Sequence, residues 1–283
     1  MGVREACHNA GRAPANTAGT ICTAWIDYAS FFMSVVKTCQ IETERFCGVH
    51  PGVTEVVELL HTDVKGCYET AYGLTPWYDI RIGTGQGCVN GATRAKLALV
   101  LSQRVVSKLC VGYGFTLNPD QRICQLYYAD DVLLQAPSMH ELRKMIECCW
   151  IVAKISGLRM TIKQKRKTAW AGTYWTRDSR GHWIERDINC GAFKMVLPDG
   201  TPIPQVRMDE TYKYLGSELT PGYTGSQDRI RAKVVTRSIG VIGVLGSIKN
   251  IGIDTLNKAI NMTVGGLVDY YGRTCILRWQ DME

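Results

Sequence analysis

Tyr127-Tyr128-Ala129-Asp130-Asp131-Val132-Leu133-Leu134 is the stretch whose reading decides the fold. A short apolar approach, Ile123 to Tyr128, leads into two adjacent aspartates, and a second apolar run, Val132 to Leu134, leaves them. Apolar runs of about four to eight residues on either side of a tight connection read as a β-hairpin. Two carboxylates at its tip repel each other and call for a cation. A pair of divalent ions about 3.5–4 Å apart meets that need in phosphoryl and nucleotidyl transfer, and hard oxygen ligands favour magnesium. A solvated Asp-Asp turn has the same local sequence, because Asp suits turns, so these residues have to be weighed with the rest of the chain.

A third carboxylate lies upstream. Ile21-Cys22-Thr23-Ala24-Trp25-Ile26 is a continuous apolar run that reads as a buried strand. It ends in Asp27, a costly place for a charge unless it reaches a cleft or a cation. Phe32, Val35, Val36 and Cys39 follow at helical spacing. Between Asp27 and the hairpin lies Gly83-Thr84-Gly85-Gln86-Gly87-Cys88, then a helical pattern from about Thr93 to Leu109. Glycines let backbone approach a nucleotide or base closely, and a glutamine offers both donors and an acceptor. A flexible turn without a ligand fits the same residues.

The remaining segments are mainly architectural. Val53, Val56, Val57 and Leu60 form one stripe of a short helix opening near Pro51-Gly52 and are expected to pack. Cys67 to Ile82 is aromatic-rich and extended. Ser138-Met139-His140-Glu141 is a capping box, Leu142, Met145, Ile146, Cys149, Trp150 and Ala153 share a buried helix face, and Gly157 is its C-cap. Gly157-Leu158 leads to a basic run, Lys163 to Lys167, which ends at Thr168. Such a run is either a solvated face or a phosphate-attracting one. Ala169 to Val206 reads as hairpins carrying no chemistry. Tyr212-Lys213-Tyr214-Leu215-Gly216 is a short aromatic strand. From about Gln227 the chain turns helical, basic and glycine-punctuated.

The chain has 283 residues, enough to bury a core, and a net charge of +7 that suits a polyanionic partner without requiring one. Its twelve cysteines form no CxxC pair or zinc-like cluster and many sit in apolar runs, so we expect a reducing, intracellular setting. No apolar run has membrane-spanning length, and no membrane partner is expected.

Taken in order, these segments resemble the reverse transcriptases of non-LTR retrotransposons and group II introns. Tyr-Ala-Asp-Asp at 128–131 and Tyr-Lys-Tyr-Leu-Gly at 212–216 carry the resemblance, and Gln86-Gly87-Cys88 and Lys167-Thr168 support it. It implies an α+β fold: a palm with an antiparallel sheet and helices on one face, then a partial helical thumb, with the fingers absent. The expected divisions are a loop at 1–20, the palm at 21–168, a hairpin-rich insertion at 169–206, a primer-grip-like hairpin at 207–222 and the start of the thumb at 223–283.

The resemblance also implies RNA-directed DNA polymerase activity, with an RNA template, a DNA primer and dNTPs as partners. Two Mg2+ ions would be held by Asp27, Asp130, Asp131 and the backbone at Tyr28. Phe32, Gln86, Gly87 and Lys167 would contact the nucleotide, and Tyr214, Leu215 and Gly216 would grip the primer. A eukaryotic retroelement of this type would act in the nucleus. The chain departs from the family with Ser30 and Met33 after the first motif, and with Val89-Asn90-Gly91-Ala92 where Ser-Pro is usual. It is expected to be an N-terminally truncated portion of something larger. The other reading is a catalytically inactive remnant that keeps the fold and binds nucleic acid through its basic residues.

Overall fold

The computed structural model describes residues 17–84, 91–118, 121–162, 167–188, 194–215, 217–221, 225–248 and 252–266. Tertiary contacts divide the chain into two units, Met1–Gln205 and Val206–Glu283.

The first unit is mixed α+β, built on a five-stranded antiparallel sheet. Its order is β11 (Trp183–Asp187), β10 (Ala169–Arg177), β1 (Thr17–Ile26), β9 (Asp131–Ala136) and β8 (Gln125–Tyr128). β1 lies in the middle, with β10 along one edge and β9 along the other. It pairs with β9 from Cys22↔Ala136 to Ile26↔Val132, and with β10 from Thr17↔Thr176 to Trp25↔Ala169. The N-terminal loop gives way to strand at Thr17, where pairing with β10 has already begun. Within 169–206, β10 runs the length of β1, and Met195, Leu197 and Ile203 are buried in the core behind it. Trp170 fixes this region by donating from its indole to the Ile203 carbonyl at 3.2 Å.

Helices α1 (Phe31–Ser34), α2 (Lys37–Phe46) and α3 (Pro51–His61) follow β1. The dipeptide strands β2 (Lys65–Gly66), β3 (Glu69–Thr70), β4 (Gly73–Leu74) and β5 (Tyr78–Asp79) then make an exposed arm in which β2 pairs with β5 and β3 with β4. Helix α4 (Gly91–Leu109) leads to a hairpin of β6 (Phe115–Asn118) and β7 (Gln121–Ile123), and α5 (Met139–Ile155) follows β9. The core joins Cys22, Ala24 and Ile26 of β1 and Val132, Leu134 and Ala136 of β9 to Ala95, Ala98 and Leu99 of α4 and Leu142, Met145 and Ile146 of α5. The alternating burial of β9 is what a half-covered strand dictates. The stripe expected to pack on α3 is on the surface instead: Val53, Val56 and Leu60 are 54%, 55% and 69% exposed. The helix turns its Thr54 face inward, and an Arg45–Glu58 ion pair at 3.2 Å ties it to α2 in that rotation.

In the second unit, β12 (Tyr212–Tyr214) pairs with β13 (Ser217–Leu219) across a turn that places Leu215 at φ 47°. Helices α6 (Gly225–Ser247) and α7 (Ile253–Ile260) follow. No helix among the described residues is long and apolar enough to cross a membrane.

The end of α5 shows why a glycine is needed after it. Leu158 N–H donates to the Ala153 carbonyl at 2.8 Å, closing the helix while Gly157 takes φ 78°. A Cβ there would stand 2.6 Å from Val36 Cγ2 and 2.7 Å from the Ser34 carbonyl oxygen. Gly157→Ala should therefore destabilise the first unit by about 1–3 kcal/mol, read as a lower denaturation midpoint in urea.

Candidate active site

The register of the central strands decides where the carboxylates meet. Ile26 pairs with Val132, so one further step of the same ladder sets Asp27 across from Asp131. Tyr128 pairs with Asp131 on the other side, leaving Ala129 and Asp130 as a two-residue turn. Ala129 has φ 52°, a left-handed conformation costing a non-glycine residue roughly 1–2 kcal/mol. Residues more than a hundred positions apart thus share one end of the sheet because β1 and β9 are neighbours.

The Asp27 backbone is clamped by the segment after α5. Thr168 Oγ accepts from Asp27 N–H at 3.1 Å and donates to the Asp27 carbonyl at 3.2 Å. Thr161 N–H donates to that same carbonyl at 2.8 Å, and Ala29 N–H donates to the Arg159 carbonyl at 2.8 Å. These bonds bracket an isolated bridge between Tyr28 and Met160, in which the Tyr28 carbonyl takes no part. The Tyr28 side chain is buried in the core, and burial holds its hydroxyl well above the usual phenol range.

The Asp27 carboxylate, 14% exposed, receives the Lys167 ammonium at 3.2 Å on one oxygen and 3.4 Å on the other. Asp131 has its carboxyl raised above the ordinary range, first by burial, then by the negative charges of Asp130 and Asp27, while Lys167 pulls the other way. Asp27 and Asp130 therefore both lie within electrostatic reach of Asp131. Among the described residues no three Asp, Glu, His or Cys side chains close into a ready cage for a metal ion. The donor set still fits a hard divalent cation in kind, since it consists of carboxylate oxygens whose mutual repulsion such a cation would relieve.

No family model and no curated protein matches the chain. Among solved structures it is similar to telomerases. Apo telomerase from Candida tropicalis is 9% identical with a TM-score of 0.43, over 98% of this chain and 46% of that one. The telomerases of Candida tropicalis and Candida albicans with a TWJ fragment of telomeric RNA are each 10% identical, with TM-scores of 0.41 and 0.40. Those matches cover 91% and 94% of this chain but 40% and 43% of theirs. The chain thus spans less than half the length of each of these solved chains.

The other expected contacts are spread more widely. Phe32 is half-buried on α1, edge-to-face with Phe31 at 5.5 Å and packed on the core. Its carbonyl accepts from Thr84 N–H at 2.7 Å, which joins α1 to the start of the glycine-glutamine turn. The approach is tight: Gly83 has φ 84°, and a Cβ there would fall 2.8 Å from the Met33 backbone. Gln86, Gly87 and Gly216 lie outside the described residues. Tyr214 and Leu215 flank the β12–β13 turn of the second unit.

Two features escape sequence reading. The Thr168 clamp joins side chain to backbone across 141 positions. The buried Arg94–Glu44 ion pair, at 2.9 Å, locks α4 to α2. A charge on each of two helices was visible, but nothing local showed that they pair inside.

Removing the clamp should leave the Asp27 N–H unsatisfied. Thr168→Val should cost about 1–3 kcal/mol in chemical denaturation, while Thr168→Ser, which keeps the hydroxyl, should recover most of it. The Asp131 shift gives a pH dependence. A carboxyl raised in the folded state binds protons more readily there than when unfolded, so without divalent cations stability should fall as pH rises from the ordinary carboxylate range through the raised folded value. Asp131→Asn should abolish that slope and raise the melting temperature at neutral pH in chelator.

Proposed function

We propose that this chain carries the catalytic centre of an RNA-directed DNA polymerase, adding dNTPs to a primer 3′-hydroxyl. The observation that carries the reading is the juxtaposition of Asp27 and Asp131 at the end of adjacent central strands, with Asp130 at the hairpin tip beside them. Asp27, Asp130, Asp131 and the Tyr28 carbonyl would hold two magnesium ions. Bound there, the ions would lower the pKa of the primer hydroxyl and neutralise charge building up on the triphosphate.

The chain's own residues set the geometry. Thr168 and Thr161 fix the Asp27 backbone so that its carboxylate stays at the strand end. Ala129 turns the hairpin so that Asp130 and Asp131 emerge side by side. Phe32, placed on α1 five positions after Asp27, would lie under the incoming sugar and exclude a 2′-hydroxyl. Gln86 and Gly87 would meet the nucleotide and template, and the hairpin at Tyr214, Leu215 and Gly216 would hold the primer end. RNA and primer would be attracted by the basic residues near Lys167 and in the C-terminal unit.

The test is primer extension on an RNA template with magnesium. Synthesis should fall about a thousandfold in Asp27→Ala and Asp130→Ala. Phe32→Val should raise ribonucleotide incorporation relative to deoxynucleotide. No aspartate-dependent synthesis would refute the polymerase. Retained primer–template binding would then mark a remnant that only binds nucleic acid.

A further inference from the structure

The Lys167 ammonium lies in front of both carboxylate oxygens of Asp27. We infer that Lys167 is a resident counter-ion of this carboxylate site, and that a divalent cation binds Asp27 by displacing it; this inference rests on the cation-site reading above.

Lys167 meets both oxygens of Asp27, at 3.2 and 3.4 Å, so the contact covers the carboxylate from the front rather than glancing one edge. Asp27 is only 14% exposed, which leaves few other approaches for an ion. The next residue, Thr168, is buried and bonded to both backbone groups of Asp27. The main chain of Lys167 is therefore delivered to the site by a fixed neighbour. Its side chain, in contrast, is 53% exposed, so the ammonium can leave for solvent without disturbing that anchor.

The charges supply the reason for a resident cation. Asp27 and Asp130 both act on Asp131, and Lys167 opposes them. Three carboxylates so placed would repel one another strongly, and one ammonium offsets part of that repulsion. A magnesium ion coordinates carboxylate oxygens at about 2.0–2.1 Å. Oxygens engaged at that distance cannot keep an ammonium in front of them, because the two cations repel across a few ångströms.

The experiment is a Mn2+ titration of the full chain without nucleotide, followed by the loss of the free-ion electron paramagnetic resonance signal. Wild type, Lys167→Met, Lys167→Gln, Lys167→Arg and Asp27→Asn are compared, with melting curves in chelator and in Mn2+. Displacement predicts about tenfold tighter Mn2+ binding in Lys167→Met and Lys167→Gln, since a charge-assisted competitor is gone. Lys167→Arg should stay near wild type. Lys167→Met should also melt lower in chelator and gain more from Mn2+ than wild type does. Equal or weaker binding in both neutral variants would overturn the inference, and it would leave the cation site standing if wild type binds and Asp27→Asn does not. Absence of Mn2+ binding in every form would overturn both.

Discussion

Asp27 sits where three demands meet: a buried strand has to end, a largely buried carboxylate needs a partner, and two other carboxylates lie close by. Most of the surrounding structure answers one of these demands. The strand ends because its backbone passes from β10 and β9 to the Met160 segment and the Thr168 hydroxyl. Lys167 supplies an opposite charge to the Asp27 carboxylate. The neighbouring carboxylates are tolerated at the rim of the sheet, where Asp130 and Asp131 keep partial access to water. Buried with no counter-ion, such a group would have to neutralise or pull the local structure apart.

The sheet order makes the meeting possible. β1 is the central strand, and its two neighbours come from later and distant parts of the chain. β9 brings the aspartate hairpin, and β10 brings Lys167 and Thr168, which immediately precede it. A slip of one residue between β1 and β9 would move Asp27 away from Asp131 and turn each inward side chain of one strand outward. The buried alternation of Val132, Leu134 and Ala136 against Cys22, Ala24 and Ile26 prevents that slip. Packing of the core and alignment of the site are therefore one constraint.

Features set by neighbours along the chain could be read from the sequence. The aspartate hairpin, the Ser138 cap accepting from Glu141 N–H at 3.2 Å, and the left-handed Gly157 all depend on residues within a few positions. Features set by distant partners could not. Ala169 to Val206 reads as hairpins, and β10 and β11 do form one, but nothing local reveals that β10 will also lie along β1. The apolar side of α3 looked like a core face because periodicity gives the stripe but not the direction in which the helix turns it. At the site, the Lys-Thr pair could be located from the sequence. That the lysine would face Asp27 and the threonine would bond both of its backbone groups required the fold.

The most direct measurement of the central claim is anomalous diffraction from crystals of the chain soaked in Mn2+. The account predicts a peak within coordination distance, about 2.1–2.3 Å, of carboxylate oxygens from both Asp27 and the Asp130-Asp131 hairpin, with the Lys167 ammonium moved off Asp27. Strong peaks elsewhere with none between these aspartates, or a Lys167–Asp27 pair unchanged at saturating Mn2+, would contradict it.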